Sequence, residues 1–227
     1  MRTMIGLIAA IAAGAAPSHA AELYSQPTTS DDANVGLGWF SHAAPRPTRN
    51  FKHADDFVLA ETSSIERVTW WGISENLVHP DLTNFTGFAI EFWSPNAAGV
   101  KPETIIVGDA FTLAETNATA TGRTSSSGAI EYRHAVNLAT PVELEDGATW
   151  FISISAFFVD ESGDAWQWQD ADFVNGLSAS YDYSRDRWQG LFDTDSAFVL
   201  EGTAVPAPGG AALLIGTGLL GARRRRL

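Results

Sequence analysis

Trp166 and Trp168 stand two residues apart around Gln167, with Asp164, Asp170 and Asp172 close by in the chain. On an extended strand, residues i and i+2 point to one side, so the two indoles share a face. Flat aromatic rings stack on pyranose faces, and the nearby amide and carboxylates can bond sugar hydroxyls. That is the chemistry of a carbohydrate platform. The same pair also suits a core ladder, because large aromatics dominate the interiors of β-sandwiches. Trp188, between Arg187 and Gln189, is a third candidate of the same kind.

A second grouping is acidic. In Asp160-Glu161-Ser162-Gly163-Asp164, oxygen-bearing side chains flank a Gly turn. Such oxygens suit a hard cation, and Asp160 and Asp164 are the candidate ligands of a weak calcium site. The spacing is not that of an EF-hand loop, and a plain acidic hairpin loop explains the run more simply. Asp193-Thr194-Asp195 is similar. No other cofactor is expected. His42, His53, His79 and His134 have no metal-ligand spacing. The chain lacks a Gly-x-Ser-x-Gly nucleophile elbow and a phosphate-binding loop. A carboxylate pair for glycosidic cleavage cannot be picked from 27 acidic residues without geometry. The expectation is therefore a protein that is not an enzyme.

The elements that must position these residues read as strands. In 65–73, Val68 and Trp70 fall on one face, Thr69 and Trp71 on the other. In 86–94, Phe88, Ile90 and Phe92 oppose Glu91 and Trp93. In 150–159, Trp150, Ile152, Ile154 and Phe158 oppose Ser153 and Ser155. Further strands are expected at 55–60, 104–113, 130–138, 165–170, 178–183 and 197–202, with Trp39-Phe40 as a short first strand and 115–128 as an exposed loop. Period-two patterning with turn residues between the runs predicts eight to ten strands and no helix in the body. The fold class expected is all-β: an antiparallel, jelly-roll-like β-sandwich, with an N-terminal signal helix and a C-terminal transmembrane or sorting helix.

Charge and composition narrow the partners. Residues 21–204 hold all 27 acidic residues and nine of the 14 basic ones, a net charge of −18. Such a surface repels nucleic acid, which is not expected as a partner. There is no cysteine, so thiolate metal sites and disulfides are excluded.

Both ends read as targeting segments. Arg2, the apolar run 5–16 and the small residues of Ser18-His19-Ala20 form a signal peptide over 1–20, cut between Ala20 and Ala21. At the other end, Val205-Pro206-Ala207-Pro208 precedes an uncharged run over 209–222 and then Arg223, Arg224, Arg225 and Arg226. The prolines bias the backbone to an extended form that a protease can grip. The arginines resist translocation and form a cytoplasmic stop. Fourteen residues span about 21 Å as a helix, against about 30 Å of hydrocarbon; snorkelling and local thinning close that gap.

These residues resemble the PEP-CTERM sorting domain of exported proteins of Gram-negative bacteria. Ala207 stands where that family most often has Glu. The resemblance implies export by signal peptidase and the Sec machinery, and processing by an exosortase-type membrane protease. It also implies membrane anchoring through the C-terminus before processing, then residence at the cell surface or in the extracellular matrix. The body, 21–204, resembles sandwich domains attached to such tails. Trp70-Trp71-Gly72, Trp166-Gln167-Trp168, Trp188 and Phe198-x-Leu200-x-Gly202 carry that likeness. The role expected is structural or adhesive, with a carbohydrate-binding module for exopolysaccharide as the alternative and a polysaccharide-degrading enzyme third.

Exported protein is expected to begin at Ala21. N-terminal sequencing measures this directly, and a retained Met1 would overturn the cleavage.

Overall fold

The computed structural model describes residues 20–28, 38–43, 51–74, 81–125, 127–159, 165–172, 176–192 and 194–206. Thirteen strands run through them: β1 (Ala21–Gln26), β2 (Gly38–Phe40), β3 (Phe51–Val58), β4 (Ser63–Ser74), β5 (Phe85–Pro95), β6 (Pro102–Thr112), β7 (Thr119–Thr124), β8 (Ile130–Leu144), β9 (Thr149–Phe158), β10 (Trp166–Gln169), β11 (Ser178–Asp182), β12 (Arg187–Phe192) and β13 (Phe198–Ala204). A 3-10 turn, Leu113–Thr116, joins β6 to β7. No helix among the described residues is long and apolar enough to cross a membrane. The two terminal helices expected from sequence fall outside the described residues.

The strands form two antiparallel sheets. One has the order β12-β11-β3-β9-β5-β6. In the other, β4 is the axis. β13 pairs with its first two-thirds and β10 with its last three residues, with β1 beyond β13 and β2 beyond β10. β8 covers the opposite flank and carries β7 outside it.

Alternation decides which face each strand buries. Val68, Trp70, Val136, Trp166, Trp168, Phe198 and Leu200 come from the β4-centred sheet, and Phe57, Phe88, Ile90, Phe92, Ile152 and Ile154 from the six-stranded one. All belong to one buried cluster, so the two sheets face each other as a β-sandwich. Burying each such side chain contributes about 1.5–3 kcal/mol of transfer free energy. Thr69, Trp71, Glu91, Trp93, Ser153 and Ser155 take the opposite faces, as the alternation predicts.

Packing on the inner face is tight where β10 meets β4 within one sheet. A Cβ on Gly72 would lie 2.3 Å from the indole Nε1 of Trp166, so only glycine fits there. Trp168 donates its Nε1–H to the carbonyl of Ala197 at 2.9 Å.

Three segments differ from expectation, and the strands number thirteen among the described residues where eight to ten are expected. One of the three is β12, which pairs with β11 over 187–192 where no strand is expected. Within 115–128, expected as an exposed loop, Thr119–Thr124 forms β7 against β8. β-Branched threonine suits a pleated surface, and Glu131 of β8 ties the strand down. Its carboxylate accepts from Thr121 Oγ1 at 2.7 Å and lies 3.4 Å from Arg123 Nη1. Before Trp39-Phe40, residues 21–26 form an edge strand beside β13. Their apolar alternation is weak because an edge strand is half-solvated.

His53 is fully buried between the sheets, stacked on Trp39 at 5.4 Å and edge-on to Trp168 at 5.9 Å. Burial lowers its pKa to about 3, and the same holds for His134 against Trp70. Between pH 6.5 and 3 the unfolded chain therefore binds a proton that the folded one refuses. Stability present above pH 6.5 is lost as pH falls. His53→Phe keeps a ring and removes the titration. Urea unfolding is expected to show the variant gaining on the parent as pH drops below 6.5, towards a limit of about 5 kcal/mol near pH 3. Parallel pH profiles would show that His53 does not titrate this way.

Candidate functional site

The outer face of the six-stranded sheet carries its own aromatic cluster. Ala54 on β3, Trp93 on β5, Phe151 on β9, Ala179 on β11 and Trp188 on β12 pack together, with Tyr181 against them. In register, Ala179 faces Ala54, Trp93 faces Phe151, and Tyr181 faces Trp188. Trp93 and Trp188 stand four strand spacings apart, roughly 19 Å along a flat sheet. Their ring centroids are nonetheless 5.3 Å apart, at 87°. The sheet is therefore curved on this side, and both indoles reach inward over it. Ala54 and Ala179 are small enough to leave them room. Trp93 is 9 % exposed and Trp188 8 %.

Polar groups frame the rings. Lys52 Nζ meets both carboxylate oxygens of Glu91, at 2.9 and 2.7 Å, and sits 5.8 Å from the Trp93 ring centre. Tyr181 packs edge-on to Trp188 at 5.3 Å and to Tyr183 at 5.2 Å. Its hydroxyl donates to the Asp186 carboxylate, and that bond, with burial, raises the phenol pKa to about 12. Tyr183 donates to the carbonyl of His42 at 2.9 Å, and burial pushes its pKa up.

Two hairpins wall the space above. The β5–β6 hairpin supplies Asn96, Lys101, Pro102, Glu103 and Ile105; the β11–β12 hairpin supplies Tyr183, Asp186 and Arg187. Between them is a cavity of about 640 Å³, within the usual range for small-ligand sites. Both lysines of the chain, Lys52 and Lys101, line it.

A second cluster is acidic. Carboxylate oxygens of Asp55, Asp56 and Asp195 lie within 4.8 Å of one another. Asp55 and Asp195 are fully buried. Asp55 Oδ2 accepts from Gln26 Nε2 and from the Ser196 amide, both at 2.6 Å, and Oδ1 accepts from the Asp56 amide at 3.1 Å. Burial, then repulsion from Asp195, raises the Asp55 pKa well above the usual carboxylate range. Asp56 is raised too, chiefly by burial. The trio can share protons or take up a hard cation.

The sequence profile of a domain of unknown function, DUF7901, matches residues 23–201, about four-fifths of the chain. The chain belongs to the DUF7901 family. No curated protein matches it. The DUF7901 span runs from β1 into β13 and contains both the aromatic groove and the acidic trio.

The residues singled out by sequence fall unevenly on this DUF7901 domain. Trp166 and Trp168 do share a face, but it is the inner one. Both are wholly buried, so neither offers a ring to a sugar. β10 lies between β4 and β2 with its indoles in the core, which is the second of the two readings of that pair. Trp188 is in the groove. Ala20 and Ala21 are exposed, and Ala21 opens β1. Val205 and Pro206 follow β13, and the Val205 amide donates to the Thr62 carbonyl at 2.8 Å. Asp160, Asp164, Ala207, Pro208 and Arg223 to Arg226 lie outside the described residues. The groove residues Lys52, Trp93, Lys101, Tyr181 and Tyr183 were not singled out. The signal for Trp93 was its place opposite the core face of its strand. For Asp55 and Asp56 the signal is two adjacent acids within β3, a residue type depleted in strands.

Lys52→Met leaves Glu91 unpaired beneath Trp93 and is expected to destabilise the fold by about 2 kcal/mol. Adding Glu91→Gln is expected to recover much of that loss. Urea unfolding of the two single variants and the double variant measures the coupling. Strictly additive losses would mean that the pair contributes nothing beyond its separate side chains.

Proposed function

We propose that this chain is an exported protein whose DUF7901 domain binds polysaccharide in the aromatic groove and so has an adhesive, structural role at the cell surface or in the extracellular matrix. The observation that carries this reading is the groove in which the half-buried rings of Tyr181 and Tyr183 stand beside the largely buried pair of Trp93 and Trp188, with hydrogen-bonding side chains on both walls. Rings set in a concave face, rimmed by amide, carboxylate and cationic groups, match the alternating apolar and hydroxyl faces of a glycan. We read the crossings from β3 to β4 to β5, and from β8 to β9, as jelly-roll-like; they put β9 between β3 and β5. Delivery follows from the two ends. The signal peptide precedes β1, and the Val205-to-Pro208 motif with its arginine stop is a sorting tail for an exosortase-type protease. Calcium is not required by this reading.

The test is a glycan panel against the purified exported protein, read by calorimetry and by tryptophan fluorescence. At least one polysaccharide is expected to bind and to perturb indole emission. Trp188→Ala is expected to weaken that binding by about tenfold or more, since stacking on an aromatic ring contributes on the order of 1–3 kcal/mol. Because Trp188 also packs the outer cluster, Tyr183→Ala, on the groove wall, is the second variant, with thermal unfolding of both as the control for folding. Binding untouched by either variant, or no binding at all, overturns the reading.

A further inference from the structure

The groove is electrostatically unlike the rest of the molecule. In a body of net charge −18, seven of the nine cations lie among the described residues. Four of them are in ion pairs: Lys52 with Glu91, Arg67 with Glu201, Arg123 with Glu131 and Arg185 with Asp182. Arg133 lies over the Trp71 ring at 6.0 Å. Lys101 and Arg187 remain, without an ion pair among the described residues, and both line the groove. They stand on opposite walls, one on each hairpin.

Their backbones are held firmly. Asn96 Oδ1 accepts from the amides of Val100 and Lys101, at 3.0 and 3.2 Å, and the Asn96 amide donates to the Lys101 carbonyl at 2.8 Å. Arg187 opens β12 in register with Asp182, whose carboxylate is engaged by Ser184. Glu103 and Asp186 share the rim, but Asp186 already accepts from Tyr181. The rim thus offers these two cations, on fixed backbones, to an anion, and two carboxylates, one already holding a phenol, to hydroxyl groups.

We infer that the groove is selective for an acidic polysaccharide, one whose sugars carry a carboxylate, as in a polyuronate. This rests on the glycan reading above and names the substrate class of the same site. Arg187 presents a planar fork to the sugar carboxylate, and Lys101 supplies a point charge from the facing wall. The half-buried phenol rings of Tyr181 and Tyr183, backed by the indole pair, hold the apolar ring face. The acidic remainder of the surface repels polyanions at a distance, but at physiological ionic strength that field decays over about 8 Å. Contact pairs inside the groove survive this screening, so the charge pattern favours one bound chain and disfavours coating of the outer surface.

The experiment compares homogalacturonan oligomers with the same oligomers after carboxyl reduction, which turns each uronate into a neutral sugar on an unchanged backbone. The exported protein is expected to bind the acidic form at least tenfold more tightly. Lys101→Ala and Arg187→Ala are each expected to weaken binding of the acidic form by about tenfold and that of the neutral form several-fold less. Equal affinities for the two forms, with the dependence on Trp188 retained, would overturn acid selectivity while leaving the glycan reading intact. If neither form nor any other glycan binds, the glycan reading fails, and this inference fails with it.

Discussion

Two sheets can share one interior only if the rings between them fit, and the Trp166 indole fits by lying over Gly72 of the neighbouring strand in its own sheet. A Cβ at position 72 would sit within van der Waals overlap of that indole. Around this contact, Phe88 of the facing sheet meets both Trp70 and Trp166 edge-on, while Trp168 packs against His53 and Phe198. Such rings resist compression, so their edges set the separation of the sheets. Once that separation is set, the outer face of the six-stranded sheet is set with it. The strands that turn Phe92 and Ile152 inward must turn Trp93 and Phe151 outward. The core and the groove are two sides of one pleat.

The polar interior shows a different constraint. Asp55 holds Gln26 of β1 and the Ser196 amide ahead of β13, and so ties the β4-centred sheet to β3 of the other. A buried carboxylate that accepts three hydrogen bonds is well satisfied, yet Asp195 and Asp56 stand close enough to repel it. The specific tie and the strain come from the same group. His53 shows the milder version, a neutral ring kept where a charged one would be expelled.

Much of the sandwich was legible from alternation alone. β4, β5 and β9 bury the residues their patterns point inward, because burial of one face of a strand leaves a period of two in the sequence. β7 was not legible, since its strand character depends on Glu131 reaching Thr121 and Arg123 from the neighbouring strand. For Trp166 and Trp168 the spacing gave the shared face but not which face, because a core ladder and a sugar platform have the same period. The groove was hidden for a further reason. Trp188 of β12 meets Trp93 of β5 only because β11, β3 and β9 intervene in that order and the sheet curves. Strand order and curvature are non-local, and a local pattern carries neither. The trace left in sequence was the small size of Ala54 and Ala179, which reads as space only once something is known to lie over them.

The perpendicular meeting of Trp93 and Trp188 has an optical consequence. Two indoles with centroids 5.3 Å apart do not absorb independently; their electronic transitions couple through space. A coupled pair in a fixed chiral setting gives a two-signed circular-dichroism band whose size and sign follow the angle between the rings. Trp70, Trp166 and Trp168 meet phenylalanine and histidine rings in the core, so the Trp93–Trp188 pair carries a spectroscopic signature of the groove's own geometry. A chain that unfolds only at β12 would lose that band while the ellipticity of the remaining sheet persisted. Local opening of this one edge could then be followed without a label.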